Sequence, residues 1–377
     1  MAGSSPYILY GVPHSLYTGK VRCYLRNQGI VHLERPTSHP DFAARVVPQI
    51  GRAIIPVLET PSGELIQDSI DIIDYFEKRG SAFSVYPDTP LQRMAAIIIE
   101  YYGGQAMLKQ AMHYRWSFLE EQAGFLRHAF ASGSGPEMAD RIMQRMQSYL
   151  PRLGINPSSV ASIEASFLTL LDILERHFEK YPYLLGGRPS VADYGLIGPM
   201  FAHLGRDPVP SHIMKTRAPG VYRWVERMTA PGLDVVEYPN CAPVYHDKDG
   251  LPPTLEELLR HIAGDIFPEL SDKLNFMKRW LEREEPTDGQ PVTDKPQVRQ
   301  LGLIQTRYRG AQIEVGVEPY LIVVLQRASE GLDTFDPVAL QRASSVIDSL
   351  GLKPALDTLR NYKVGRRDNI EVWLKRT

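Results

Sequence analysis

YILYGVPHSLYTGKVRCYLRNQG, residues 7–29, is the stretch that decides the fold of this chain. Its apolar start, Tyr7–Val12, has the length and composition of a buried strand. After a turn at 13–19, apolar residues recur at helical spacing until Gly29, which is placed to end the helix. A strand that leads into a helix N-terminus through such a turn forms a site for an anion, because unpaired N–H groups and the helix dipole point at it.

A second apolar segment, Ala53–Leu58, contains a proline at position 56. Because proline cannot donate to a sheet ladder, Pro56 indicates an edge strand or a strand start, and the bond before it is one where a cis peptide is plausible. The turn at 60–64 leads into a further short strand. Asp68 or Ser69 is then placed to cap an amphipathic helix.

The remaining elements of this region complete one layer. Residues 31–35 alternate as a strand, and a short helix is predicted at 41–47, ending at Pro48. The resulting order of strands and helices is that of an α/β domain with a mixed sheet. Turn residues are concentrated at 80–90, so we expect a domain boundary there.

Long amphipathic segments after this linker predict an all-helical region. Helices are expected at 91–112, 117–131, 137–150, 160–180 and 192–204, with a Gly/Ser loop at 132–136. Gly103 and Gly104 each weaken the first of these helices by roughly 1 kcal/mol, so we expect a kink or a close backbone approach there. Ser190, with Asp193 three residues on, is a capping-box pattern that starts a buried central helix.

Composition excludes several classes of protein. The net charge of −2 over 377 residues argues against nucleic-acid binding, and no apolar run is long enough to span a membrane. Cys23 and Cys241 cannot form a disulfide scaffold or a CxxC centre, and no histidine pair has metal-binding spacing. We therefore expect a cytoplasmic, enzyme-like protein without a metal site.

Three pieces of the N-terminal region resemble, in order, the thioredoxin-like domain of the glutathione transferases. They are the turn and helix from Ser15 to Arg22, the segment Ile55–Leu58, and Asp68 with Ser69 at a helix start. The segment YLLGGRPSVADY, residues 183–194, resembles the N-capping segment of the helical domain of that family. The resemblance covers about residues 6–232 and implies two domains: 1–82, which binds glutathione, and 90–233, which is all-helical. Residues 234–377 have no counterpart in a minimal member of that family, and their own pattern predicts an additional α+β extension.

The resemblance implies a role for the first turn in activating the thiol of glutathione. Ser15 occupies the place of the hydroxyl donor to the sulfur in the serine-type classes, with Lys20-Val21-Arg22 at matching spacing. Tyr17 and Thr18 are rivals on the same turn, and Tyr10 resembles the tyrosine placement of other classes. From the residues alone, Ser15 could equally serve only the backbone groups of the turn.

The same resemblance assigns the rest of the tripeptide. Ile55, before Pro56, is expected to offer its backbone to the cysteinyl part, as a strand edge binds a peptide. Asp68 and Ser69 are expected to bind the γ-glutamyl end, and Arg52 the glycyl carboxylate. The pocket for a hydrophobic electrophile is expected at five further positions: Leu16, Tyr17, Tyr101, Tyr102 and Met107.

Two functions stay open at this point. One is a homodimeric glutathione transferase that adds glutathione to an electrophile, or uses it in ether cleavage, dehalogenation or isomerisation. The other is a binding or scaffold protein that kept the fold without turnover.

The extension at 234–377 is apolar enough to fold, but no motif assigns its role. Two helices split near Pro268 are expected at 255–283, followed by strands at 312–318 and 370–374 and helices at 320–328 and 338–350. The basic run 363–367 is interpreted as a solvated face. A cap over the active site and an extended dimer contact remain open as roles.

Overall fold

The N-terminal region is a four-stranded sheet with helices, as the periodicity predicts. The computed structural model describes residues 6–230, 235–295, 297–330, 332–356 and 361–375. The first elements are β1 (Tyr7–Tyr10), α1 (Leu16–Asn27), β2 (His32–Arg35), a π-helical turn (Phe42–Val46), α2 (Val47–Ile50), β3 (Val57–Glu59), β4 (Leu65–Gln67) and α3 (Ser69–Glu77). The strand order is β2-β1-β3-β4, with β1 parallel to β2 and antiparallel to β3. The predicted stop at Pro48 is wrong, because proline is tolerated in the first turn of α2.

The register of this sheet brings three chain segments to one edge. Tyr10, the last residue of β1, pairs with Val57, the first residue of β3, and Val57 pairs with Gln67, the last residue of β4. The turn into α1, the residues before β3 and the start of α3 therefore meet at the same end of the sheet.

The second region is all-helical. Its helices are α4 (Pro90–Tyr101), α5 (Leu108–Trp116), α6 (Leu119–Ser134), α7 (Pro136–Gln147), α8 (Val160–Phe178), α9 (Val191–Ala202), α10 (Pro208–Arg217) and α11 (Pro219–Thr229). The capping box of Ser190 and Asp193 is confirmed at the start of α9. The predicted loop at 132–136 is wrong, because α6 continues to Ser134 and only Gly135 separates it from α7.

A π-helical turn, Tyr102–Ala106, interrupts the helix predicted at 91–112. A Cβ on Gly103 would lie 2.3 Å from the Gly195 carbonyl oxygen in α9, so the expected close backbone approach is confirmed. Glycine is required at this crossing because no side chain fits between the two backbones.

The C-terminal region contains both helices and strands. It comprises α12 (Pro253–Ile266), α13 (Glu269–Glu284), β5 (Leu303–Tyr308), β6 (Ala311–Gly316), α14 (Tyr320–Leu325), α15 (Pro337–Ser349), α16 (Lys353–Leu356), β7 (Tyr362–Arg367) and β8 (Ile370–Lys375). The split near Pro268 is confirmed. Sequence reasoning missed β5 and β7, the partners of the strands that it predicted.

One hydrophobic cluster runs through all three regions. It includes Leu9 of the sheet, Ile98 of α4, Leu258 of α12, Val324 of α14 and Trp373 of β8. Because the C-terminal region shares this core, it is an integral part of the described structure. The domain boundaries at 82 and 233 stay a prediction. Within the described ranges, the helices lack the combination of length and apolar sequence that crossing a bilayer requires.

Candidate functional site

Ser15 lies at the sheet edge as the N-cap of α1. Its backbone is extended, and its Oγ accepts a hydrogen bond from the Thr18 amide at 3.3 Å. The side chain is half-buried, and among the described residues its hydroxyl proton has no acceptor. Ser15 can therefore still donate to a ligand at the positive end of the helix dipole.

Tyr17 lies on the same turn, but its hydroxyl is engaged elsewhere. Its hydroxyl donates to the Gly104 carbonyl oxygen at 2.9 Å and lies 3.4 Å from the Gln105 amide nitrogen. Burial raises the pKa of Tyr17 above its usual range. Its proton is already committed to the π-helical turn, which disfavours Tyr17 as a donor to sulfur.

The other two rivals lie in different surroundings. The Tyr10 hydroxyl donates to Glu59 at 3.0 Å, and its ring packs with Phe42 on the far face of the sheet. The Thr18 hydroxyl is buried against Gly11, where a Cβ would come within 2.2 Å of the threonine side chain. Neither side chain is therefore placed as well as Ser15 to donate to a ligand at the sheet edge.

Ile55 precedes Pro56 across a cis peptide bond, as the sequence made plausible. Ile55 is half-buried, and in the described part of the chain neither its N–H nor its C=O forms a hydrogen bond. Strand pairing begins only at Val57. The backbone at Ile55 can therefore pair with an extended peptide.

Asp68 is the N-cap of α3, with a positive φ of 93°. Its Oδ1 accepts from the Ile70 amide at 2.9 Å, while its Oδ2 accepts from the Tyr320 hydroxyl at 2.8 Å. The Arg366 guanidinium lies 3.3 Å from the same Oδ2. Burial raises the pKa of Asp68, but Arg366 and these hydrogen bonds outweigh it, so the pKa lies below its usual value.

Ser69, the first residue of α3, lines a cavity of about 10 Å³ together with Leu16, Tyr17 and Tyr320. Its hydroxyl makes no hydrogen bond to the residues that the structure describes. Room for about one water molecule remains between α1 and α3. The C-terminal region contributes Tyr320 and Arg366 to the contacts of Asp68, and Tyr320 and Val324 to the lining of this cavity.

Arg52 does not have the free guanidinium that a glycyl carboxylate requires. Its Nη1 lies 2.8 Å from Glu371 Oε2, and its Nη2 lies 3.0 Å from Glu371 Oε1. The Asn369 carbonyl oxygen and the Gln67 amide oxygen accept two further hydrogen bonds. The role of Arg52 as a ligand of the glycyl carboxylate therefore stays a prediction, and in this structure Glu371 occupies its guanidinium.

Four of the five residues expected around the electrophile are buried, and only Tyr17 is half-buried. Tyr102 and Met107 are fully buried, and the Tyr102 hydroxyl donates to Asp265 at 2.6 Å. A second cavity, of about 40 Å³, is lined by Tyr101, Lys109 and Glu269 among others. Lys109 and Glu269 form an ion pair in this lining, at 2.5 Å.

Sequence reasoning missed the two residues that contact Asp68 from the C-terminal region. Tyr320 was placed in a helix without a role, and Arg366 belongs to the run that was interpreted as solvated. That interpretation is wrong for Arg366, whose side chain is only 10% exposed. Asp368 and Asn369, both with positive φ, form the two-residue turn between β7 and β8, and this turn is a signal that could have revealed the hairpin.

A thioredoxin-like domain followed by an all-helical domain defines the class to which this chain belongs. Residues 9–82 match the family described as glutathione S-transferase, N-terminal domain, and residues 157–227 match glutathione S-transferase, C-terminal domain. The chain is a member of the glutathione transferase superfamily.

Solved structures of the same family are similar at low identity. Glutathione transferase GSTFuA3 from Phanerochaete chrysosporium is 17% identical, with 62% of this chain and 100% of that chain covered and a TM-score of 0.42. The beta-etherase LigF from Sphingobium sp. is 17% identical, with coverage of 60% and 96% and a TM-score of 0.41. A glutathione S-transferase of Ceriporiopsis subvermispora in complex with glutathione is 19% identical, with coverage of 59% and 96% and a TM-score of 0.40. The search of curated proteins gave no match.

Proposed function

We propose that the sheet edge formed by Ser15, Ile55 and Ser69 binds glutathione and that Ser15 activates its thiol for attack on an electrophile. The observation that carries the proposal is the unused hydroxyl proton of Ser15 at the N-terminus of α1. The open backbone of Ile55 lies at the same end of the sheet.

The chemistry follows from the pKa of a thiol, which is about 8.5 in a free cysteine. A hydroxyl that donates to sulfur, together with the dipole of α1, stabilises the thiolate and lowers that pKa. The thiolate then attacks an electrophilic carbon, a carbon–sulfur bond forms, and the leaving group departs with its electron pair. Ser15 keeps its own proton throughout, because it acts as a donor and not as a base.

The rest of the tripeptide is bound by groups around this sulfur site. The N–H and C=O of Ile55 pair with the cysteinyl unit, while the Ser69 hydroxyl and the first amides of α3 receive the γ-glutamyl carboxylate. Asp68 receives the ammonium group. The electrophile approaches from the side of Tyr101, which lines the cavity of about 40 Å³.

Two variants of Ser15 separate thiol activation from helix capping. Ser15→Ala removes the hydroxyl and a cap worth about 1 kcal/mol, whereas Ser15→Gly removes the hydroxyl but costs only a few tenths of a kcal/mol as a cap. We expect both variants to shift the pH profile of turnover about one unit higher, with glutathione affinity nearly unchanged. Tyr17→Phe is the control, because the Tyr17 hydroxyl donates its hydrogen bond to the Gly104 carbonyl oxygen. A profile that moves only in Tyr17→Phe would transfer the role to that residue.

The second candidate function is glutathione binding without turnover. It is favoured by one observation, the contact of Tyr320 and Arg366 with the Asp68 carboxylate. Binding to immobilised glutathione together with conjugation of a generic aryl halide separates the two functions. Retention on the resin without conjugation of any electrophile supports the binding protein. A homodimer in the cytoplasm is part of either proposal, and sedimentation equilibrium tests the dimer.

A further inference from the structure

The hairpin of β7 and β8 carries two opposite charges on one face. Arg366 and Glu371 are direct partners in the antiparallel register. Val364 and Trp373, two residues along each strand, form the next pair on that face, and both are fully buried. The face that carries the charges is therefore the face that the hairpin turns toward the protein.

Each charge of this pair contacts one of the two residues assigned to the ends of the tripeptide. The Arg366 guanidinium lies 3.3 Å from Asp68 and also pairs with Asp71. The Glu371 carboxylate binds Arg52 at 2.8 and 3.0 Å. Thus a cation lies where the γ-glutamyl ammonium is expected, and a carboxylate lies where the glycyl carboxylate is expected.

Tyr320 of α14 supports the same arrangement. Its hydroxyl donates to Asp68 at 2.8 Å, and the centre of its ring lies 5.5 Å from the guanidinium carbon of Arg366. Tyr320 also lines the cavity of about 10 Å³ beside Ser69. With the hairpin and α14 in this position, the γ-glutamyl end of a tripeptide has no room beside Asp68.

We propose that the β7–β8 hairpin is an intramolecular plug, which imitates the charges of glutathione and has to withdraw before glutathione binds. This inference rests on the proposed function, which gives Asp68 the ammonium group, and on the sequence-based expectation that Arg52 binds the glycyl carboxylate. It adds that the C-terminal region controls access to them.

Withdrawal lets the two charges of the hairpin pair with each other, while the partly exposed Asp71 and Arg299 lose these contacts to water. Once the hairpin has moved away, Arg366 and Glu371 can pair with each other, since opposite charges on a cross-strand pair attract. Asp68 and Arg52 then receive the ammonium and the carboxylate of the ligand. This exchange avoids the large cost of burying a charge alone, which is the main penalty when one half of an ion pair is removed.

The plug reduces the affinity for glutathione by a calculable factor. The apparent Kd equals the intrinsic Kd divided by the fraction of molecules with an open site. If the hairpin is withdrawn in about one molecule in ten, opening it fully lowers the apparent Kd about tenfold, which corresponds to about 1.4 kcal/mol.

Calorimetric titration with glutathione tests the plug through two neighbouring arginines. Arg366→Ala removes the charge that faces Asp68, and we expect its Kd to be up to about tenfold lower than that of the unaltered protein. Arg367→Ala is the matched control, because this arginine is 54% exposed and pairs with Asp288 at the surface. We expect Arg367→Ala to leave the Kd unchanged.

The other outcomes of the titration overturn the plug. An unchanged Kd for Arg366→Ala means that the hairpin does not compete, and a higher Kd means that Arg366 is itself a glutathione ligand. Equal binding by all three proteins refutes only the plug. No binding by any of them, under conditions where each is folded, refutes the proposed function as well.

Hydrogen exchange on the unaltered protein gives a second test that does not depend on a variant folding. Saturating glutathione should speed exchange of the amides in Tyr362–Arg367 and Ile370–Lys375, because the hairpin withdraws. The β5–β6 hairpin serves as the internal control, since it contacts neither Asp68 nor Arg52 in the described structure. Slower or unchanged exchange in β7 and β8 with glutathione bound contradicts the proposal.

Discussion

Replacement of Gly103 by alanine should destabilise the protein strongly, and replacement of its neighbour Gly104 should not. A Cβ on Gly103 would lie 2.3 Å from the Gly195 carbonyl oxygen, 2.5 Å from the Gly195 carbonyl carbon and 2.8 Å from Leu196 Cα. All three atoms belong to the backbone of α9, so no side chain can rotate to make room. At Gly104, by contrast, no atom lies within 4 Å of the added Cβ.

The magnitudes follow from these distances. Carbon atoms in contact are normally about 3.5–4.0 Å apart, so α9 has to move by about 1 Å to admit the methyl group. Overpacking of a well-packed core costs typically 1–3 kcal/mol, and a clash with backbone alone lies at the upper end, about 3 kcal/mol. For Gly104→Ala the helix propensity of alanine stabilises the protein by up to about 1 kcal/mol.

Urea denaturation followed by tryptophan fluorescence measures the difference between the two variants. Trp224 is a suitable reporter, because it is fully buried and its indole N–H donates to Asp193 beside α9. We expect a gap of about 3–4 kcal/mol between the free energies of unfolding of Gly103→Ala and Gly104→Ala. Equal stabilities of the two variants would show that α4 and α9 do not approach as closely as described. The contact of Tyr17 with the π-helical turn would then be wrong as well.

Two further predictions concern buried carboxylates. Asp193→Ala should lower the free energy of unfolding by about 3 kcal/mol in urea denaturation, because it leaves the amides of Ser190 and Leu184 without acceptors. The control is Asp172→Ala, which removes an exposed carboxylate and should cost under about 1 kcal/mol. Burial raises the pKa of Glu269, but Lys109 and Lys273 outweigh it and hold it at about 2, so its contribution is fully present above pH 4.5 and is lost as the pH falls to about 2. Glu269→Gln should flatten the acid side of the stability curve, and an unchanged curve would contradict this ion pairing.

The N-terminal half of the fold was predictable because its signals are local. The strand before α1, the proline before β3 and the caps of α3 and α9 each follow from residues within about ten positions of one another. The candidate site was predictable to the same extent, since Ser15, Ile55 and Asp68 flank those elements and the strand register then brings them to one edge. Pattern reasoning failed where a distant contact decides the outcome. At Gly133, for example, a Cβ would approach Val12 to 2.6 Å, so this glycine serves a close packing contact inside α6 and does not mark a loop.

The state of the site depends on pairs that no local pattern reveals. Tyr320 and Asp68 are 252 residues apart, and Arg52 and Glu371 are 319 apart. A charged residue in a strand can be satisfied by water or by a distant partner, and its neighbours in sequence look the same in both cases. Hence the residues up to about 232 predict an open site, whereas Tyr320, Arg366 and Glu371 contact Asp68 and Arg52 in the structure.

Strand alternation nevertheless contains the information that separates the two arginines of β7. Arg366 is two residues from the fully buried Val364 and therefore shares its inward face, whereas Arg367 lies on the opposite face. The side chains are 10% and 54% exposed, as this alternation requires. An inward arginine in a hairpin needs a buried carboxylate, because an unpaired buried charge costs several kcal/mol. Asp68, whose own position at the start of α3 is fixed by its capping bond to Ile70, supplies that carboxylate, so the hairpin is held against the candidate site.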